Sequence, residues 1–353
     1  MKKNKINRIF IFLFFTFLLS WSFDGFLIYF TGLDPYLNLG MSPWGMLVPA
    51  FMALILRMFI FKDSPIYYRI YKKKPVWILY GFMILTIIYG ILIWFVALNP
   101  ELKQIFQGVG AILFTLWTLL VFFIYGQSKR SALEQAGLGM GKTKMGPRFM
   151  LGIILFLLLQ AAFNLLFNLG EFTGKLERIY SLPLPSILYF PALVVLFISV
   201  TVIGLPLSGL ASVFGEEYGW RGFLLCEFSE TGKTRAALWV GLIWGIWHFP
   251  VILRGVHTYP ASGLGISMGI IFFVLWGMIQ GYAMFKTGSI WIVSFMHGLV
   301  NSIYSFILTY VVKPENKIYS FGLGIYGLIC LGVVVYFIMK DPIWKTENLR
   351  TNV

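Results

Sequence analysis

Apolar residues in this chain fall in long continuous runs separated by short polar connections, at approximately 9–31, 44–61, 76–98, 104–125, 149–169, 186–213, 236–253, 264–285, 289–312 and 319–339. About 20 apolar residues suffice for a helix to cross the hydrocarbon core of a bilayer. The pattern therefore predicts an all-α polytopic membrane protein with about ten transmembrane helices. The first run follows Lys2, Lys3 and Lys5, as a signal peptide would. However, Trp21-Ser22-Phe23-Asp24 offers no small-residue cleavage site and more apolar sequence follows, so a retained first helix is expected.

The basic residues sit between the runs. With the N-terminus in the cytoplasm, 22 of the 28 Lys and Arg residues fall on the inner side, which the positive-inside rule favours. Both termini then face the cytoplasm, and a bacterial plasma membrane is the expected location. The inner connections 62–74 and 127–148 are the best defined, the second broken by Gly137, Gly139, Gly141 and Gly146-Pro147. The net charge of +14 is thus a topology signal, and no nucleic-acid partner is expected.

Composition agrees with this picture: 59% of the residues are hydrophobic and only 12% charged, too apolar a balance for one soluble core. Cys226 and Cys330 show no metal or redox spacing and read as packing residues. Within or beside the apolar runs, Gly-x-x-x-Gly, which lets helix backbones approach closely, occurs at Gly215/Gly219, Gly241/Gly245, Gly265/Gly269 and Gly277/Gly281, and in none of the first five runs. The expected organisation is a five-helix N-terminal jacket over 1–185, a catalytic core of five helices over 186–340, and a cytoplasmic tail over 341–353.

Charged groups at bilayer depth are costly and usually face one another or a water-filled cavity. Glu216, Glu217 and Arg221 stand together in Gly215-Glu-Glu-Tyr-Gly-Trp-Arg221. Glu217 and Arg221 have the i,i+4 spacing of a helical ion pair, while Glu216 points about 100° away on a helix of 3.6 residues per turn. Two of the three histidines, His248 and His297, lie inside apolar runs. Asn301 shares a helical face with His297, and Trp244 shares one with His248, where Pro250 should kink the helix. Pro206 offers a break after which a separate helix, about 207–228, would carry the glutamates to the depth of the histidines.

One carboxylate, two imidazoles and an amide meet the needs of peptide-bond hydrolysis: a base to activate water and donors for the oxyanion. Glu216, His248 and His297 equally match the donor set of a divalent metal such as zinc, and the residues alone leave both possibilities open. Asp24, inside the first run, is expected to interact within the jacket, and His257, in an outer connection, to be solvated. A rhomboid-type Gly-x-Ser-Gly is lacking at Ser208 and Ser262, where Pro206 and Pro260 take the first glycine position, and His-Glu-x-x-His is absent.

Glu216-Glu217-x-x-x-Arg221, Trp244-x-x-x-His248 and His297-x-x-x-Asn301 resemble the three motifs of the CAAX-protease and bacteriocin-processing (CPBP, or Abi) family of intramembrane proteases. The resemblance covers roughly 186–340, and Trp244 departs from the usual Phe. It implies that Glu216 and His248 activate the attacking water, that His297 and Asn301 form the oxyanion site or complete a metal site, and that Glu217, Arg221 and Trp244 support them. The expected activity is cleavage of a membrane-associated peptide or protein. A non-catalytic immunity or scaffold protein of the same fold is the alternative, and a proton-coupled transporter is disfavoured because the two halves show no inverted counterpart.

Overall fold

The structure is a computed structural model that describes residues 3–31, 43–173, 185–199, 201, 204, 209–253 and 262–346. It is an all-α, multi-pass architecture. In chain order the helices are α1 (Lys3–Thr31), α2 (Pro43–Ile55), α3 (Val76–Leu98), α4 (Lys103–Gln127), α5 (Arg130–Gln135), α6 (Gly146–Leu166), α7 (Tyr189–Ile198), α8 (Leu210–Glu217), α9 (Lys233–Trp247), α10 (Phe249–Leu253), α11 (Gly263–Thr287), α12 (Ile290–Phe306) and α13 (Ile325–Ile338). Short strands β1 (Gly170–Phe172) and β2 (Val312–Pro314) pair antiparallel, with Glu171 opposite Lys313.

Seven helical segments among the described residues are long and apolar enough to span a membrane, against the ten expected. The difference lies in the second half. In the run 186–213, residues 200, 202–203 and 205–208 lie outside the described residues: α7 covers its start, and α8 begins at Leu210 and continues through a π-helical turn over Tyr218–Leu224 to Glu227. The expected break at Pro206 falls at 205–208, outside the described residues. In the run 319–339 only Ile325–Ile338 is helical. The helix over 236–253 breaks between α9 and α10 at His248, two residues before Pro250, which lacks the N–H for a helical hydrogen bond.

Burial separates helices that face lipid from those that form the core. The most apolar stretch is 67% buried in α12 and 61% in α2, but only 28% in α1 and α6. Phe10, Phe14 and Leu18 of α1 and Leu151, Leu155 and Leu158 of α6 are exposed on the outside, as the bilayer requires. The core is therefore drawn from both halves of the chain. A Cβ on Gly219 would stand 2.6 Å from the Pro49 carbonyl carbon, and one on Gly215 2.8 Å from Leu47 Cα. These two glycines thus seat α8 on α2. Gly241 and Gly277 bring α9 and α11 together in the same way, a Cβ on Gly277 lying 2.7 Å from Gly241 Cα.

The hairpin of α11 and α12 is fixed by local signals. Gly288, in the left-handed region (φ 65°), ends α11, and the Ser289 hydroxyl accepts from the Ile292 amide at 3.3 Å to start α12. At the opposite end of the bundle, Asn164 of α6 exchanges two hydrogen bonds with the Phe321 backbone (2.9 and 3.1 Å), and the Gly322 amide donates to Gln160 at 2.8 Å. This pins the connection between β2 and α13 across that end.

Candidate active site

α8, α9 and α12 bring the predicted residues together. Glu216, Trp244, His248, His297 and Asn301 all line one cavity of about 700 Å³. Trp244 is its hub. The indole Nε1–H donates to Glu216 Oε2 at 2.6 Å, and the ring lies 5.6 Å from the His248 ring and 5.5 Å from that of His297. Close packing at Gly241/Gly277 and Gly245/Ile270 permits this by drawing α9 onto α11, which places Phe273 against both Trp244 and His248.

His248 occupies the break after α9, where its Nδ1–H donates to the Trp244 carbonyl at 2.9 Å. A carbonyl can only accept, so the neutral ring carries its lone pair on Nε2. The ring stacks on Phe273 with centroids 3.8 Å apart, which fixes its plane. His297, one turn before Asn301 on α12, donates from Nδ1 to Glu217 Oε1 at 2.8 Å. Asn301 is exposed along the cavity wall.

Glu217 does more than its spacing predicts. Arg221 Nη1 donates to the same Oε1 at 2.9 Å, so one carboxylate joins the expected helical clamp to His297. Glu217 and Arg221 are completely buried, and the guanidinium lies over the Trp244 ring at 4.1 Å from its centroid. The π-helical turn beginning at Tyr218 widens the helix beside this pair; such turns recur at functional sites.

Sequence reasoning missed several contributors. The Tyr218 hydroxyl, buried, accepts from Arg57 Nη1 of the first half (3.0 Å) and donates to the Ala136 carbonyl (3.0 Å), so the motif is tied to the 127–145 connection. A buried arginine in an apolar run was the available signal at Arg57. Asp24, expected within the jacket, is buried at the cavity wall together with Gly45 and Met46. A face of α6, including Arg148, Gly152, Ile153 and Phe156, forms the facing wall. His257 lies outside the described residues.

Among the described residues no three His, Cys, Asp or Glu side chains converge closely enough to hold one ion, and Trp244 already engages one oxygen of Glu216. Glu216, His248 and His297 as they stand do not fit a metal.

Comparison with known proteins agrees with the motifs. Residues 178–303 match the family model described as type II CAAX prenyl endopeptidase Rce1-like. Over 133 residues, 36% of this chain, the sequence is 27% identical to the CAAX prenyl protease 2 of Methanococcus maripaludis, of which 47% is covered. The chain spans about half the length of that curated relative. No solved structure matches. The resemblance to the CAAX-protease family thus holds across the segment that carries all three motifs. It stops short of α13, which the motif-based reading had included.

Proposed function

We propose that the chain is an intramembrane endopeptidase in which Glu216 and His248 activate a water for attack on a peptide bond of a membrane-associated substrate. The observation that carries this reading is the convergence of Glu216, His248, His297 and Asn301 on one cavity, with each imidazole held through Nδ1 so that Nε2 is its second nitrogen. Trp244 holds Oε2 of Glu216 and leaves Oε1 for the water. Glu216 takes a proton as the water oxygen adds to the carbonyl carbon, with His248 Nε2 orienting the water. His297 and Asn301 form the oxyanion side of the site: the Glu217 carboxylate fixes the His297 ring through Nδ1, and the Asn301 amide donates to the oxyanion. The carbon–nitrogen bond then breaks, and the proton held by Glu216 passes to the departing amine.

The basic connections face the cytoplasm in this reading, and the cavity is entered from that side, because the Asn164 and Gln160 bonds to 321–322 cover the other end. The name of the archaeal relative speaks of prenyl substrates; the apolar walls at Phe156, Phe272 and Trp276 are compatible with a lipidated peptide here.

The test is cleavage of membrane-tethered peptides by purified, reconstituted protein, followed by mass spectrometry, with and without chelator. Wild type is expected to cut in both conditions and His248→Ala to lose at least about a hundredfold in kcat. Chelator inhibition reversed by zinc would place an ion in the mechanism. Peptide binding with no cleavage under any condition would favour the scaffold alternative.

A further inference from the structure

Gln280 of α11 is completely buried, well inside the membrane-spanning stretch Gly263–Thr287. A primary amide at that depth must give up water at both its donor and its acceptor, and the proposed reaction makes no use of it. Its contacts show what it holds. The Nε2 group donates to the Val293 carbonyl of α12 at 3.3 Å, and because a carbonyl can only accept, this bond fixes which way the amide faces. Val293 stands four residues before His297, so in the helical pattern of α12 the same carbonyl receives the His297 backbone N–H. From the neighbouring helix, Gln280 therefore grips the turn that carries His297.

The imidazole itself is held from another side. Glu217 Oε1 accepts from Nδ1, and Arg221, which donates to the same oxygen, lies against α11 one turn before Gln280: a Cβ on Gly277 would stand 3.7 Å from Arg221 Nη2. His297 is thus fixed at two points, its ring from α8 and its backbone from α11. Stability alone is a poor reason to keep the amide. Gln280 Oε1 has no hydrogen-bond partner among the described residues, and an orphaned buried acceptor offsets what the single Nε2 bond gains. What the residue supplies is placement.

We infer that Gln280 is a positioning residue for the reaction: through the Val293 carbonyl it sets where α12 holds the His297 ring in the cavity. The effect on turnover rests on the protease reading above, whereas the placement of the imidazole is measured without substrate.

The experiment replaces the amide with apolar side chains, Gln280→Leu and Gln280→Met, the second keeping an unbranched chain should the first fail to fold. In reconstituted protein acting on a membrane-tethered peptide, kcat should fall about tenfold with KM little changed, the effect that one hydrogen bond carries. The unfolding midpoint in detergent should stay at or above that of wild type, because the orphaned acceptor leaves with the amide. With histidine nitrogens isotopically labelled for NMR, the His297 signal, identified by its loss in His297→Gln, should move while the His248 signal stays. An unchanged kcat in a folded variant would overturn the inference. So would a lower kcat that comes with a lower unfolding midpoint and an unmoved His297 signal, or failure of both variants to fold, since either would make Gln280 a packing residue only. Absence of cleavage by wild type would remove the protease reading, and this inference with it.

Discussion

Glu216 and Glu217 are adjacent in sequence and equally buried, yet they serve two different regions of the molecule. Glu216 lines the cavity, with Trp244 on one oxygen. Glu217 points into a buried network in which Arg221 and His297 share its Oε1. The difference teaches that the helix, by turning about 100° between them, directs one carboxylate to the cavity and the other into the packing, and the proposed function gives chemistry to the first and support to the second. A buried arginine and histidine need a fixed anion, and the residue that supplies it cannot also face substrate.

Breaking the supporting side should produce the largest effect on folding. Glu217→Ala leaves Arg221 buried without its anion, a loss of about 3–5 kcal/mol for a buried pair. Its unfolding midpoint in detergent should fall well below wild type, and catalysis should fall with it as His297 loses its anchor. Next comes the seating of the motif on the first half. Gly219→Val must push α8 from the Pro49 backbone and should cost about 1–3 kcal/mol or more, whereas Gly108→Val, which meets open space, should be nearly neutral on packing grounds.

The cavity side should respond differently. Trp244→Phe keeps an aromatic ring but removes the N–H donor to Glu216, and the expected outcome is a kcat lower by about tenfold with KM little changed, in steady-state cleavage assays.

The smallest effect belongs far from both regions. The Arg8 hydrogen bond and charge hold the Asp63 carboxylate below the ordinary aspartate range. A depressed folded-state value contributes stability above the unfolded value, near 3.9, that is lost as pH falls through the folded one. Asp63 is 68% exposed, so solvent and salt screen most of this. Asp63→Asn should lower the unfolding midpoint slightly at neutral pH and low salt, and the difference should vanish in acid.

How much of this was legible in the sequence depends on the range of the interaction. Glu217 and Arg221, His297 and Asn301, and Trp244 and His248 are each four residues apart, and helical geometry alone pairs them. The contact between Trp244 and Glu216 joins helices 28 residues apart, and that between His297 and Glu217 joins residues 80 apart; no local periodicity encodes either. The glycine spacings announced close helix packing but not the partner. Gly241 and Gly277 meet within the second half, whereas Gly215 and Gly219 pack on α2 in the first. The apolar runs located most of the helices.

The division between the two glutamates is tested most directly by measuring turnover of a membrane-tethered peptide and the unfolding midpoint together for Glu216→Gln and Glu217→Gln. The account predicts that Glu216→Gln unfolds close to wild type but loses at least about a hundredfold in kcat, while Glu217→Gln is clearly destabilised. Turnover by Glu216→Gln near the wild-type rate would contradict it.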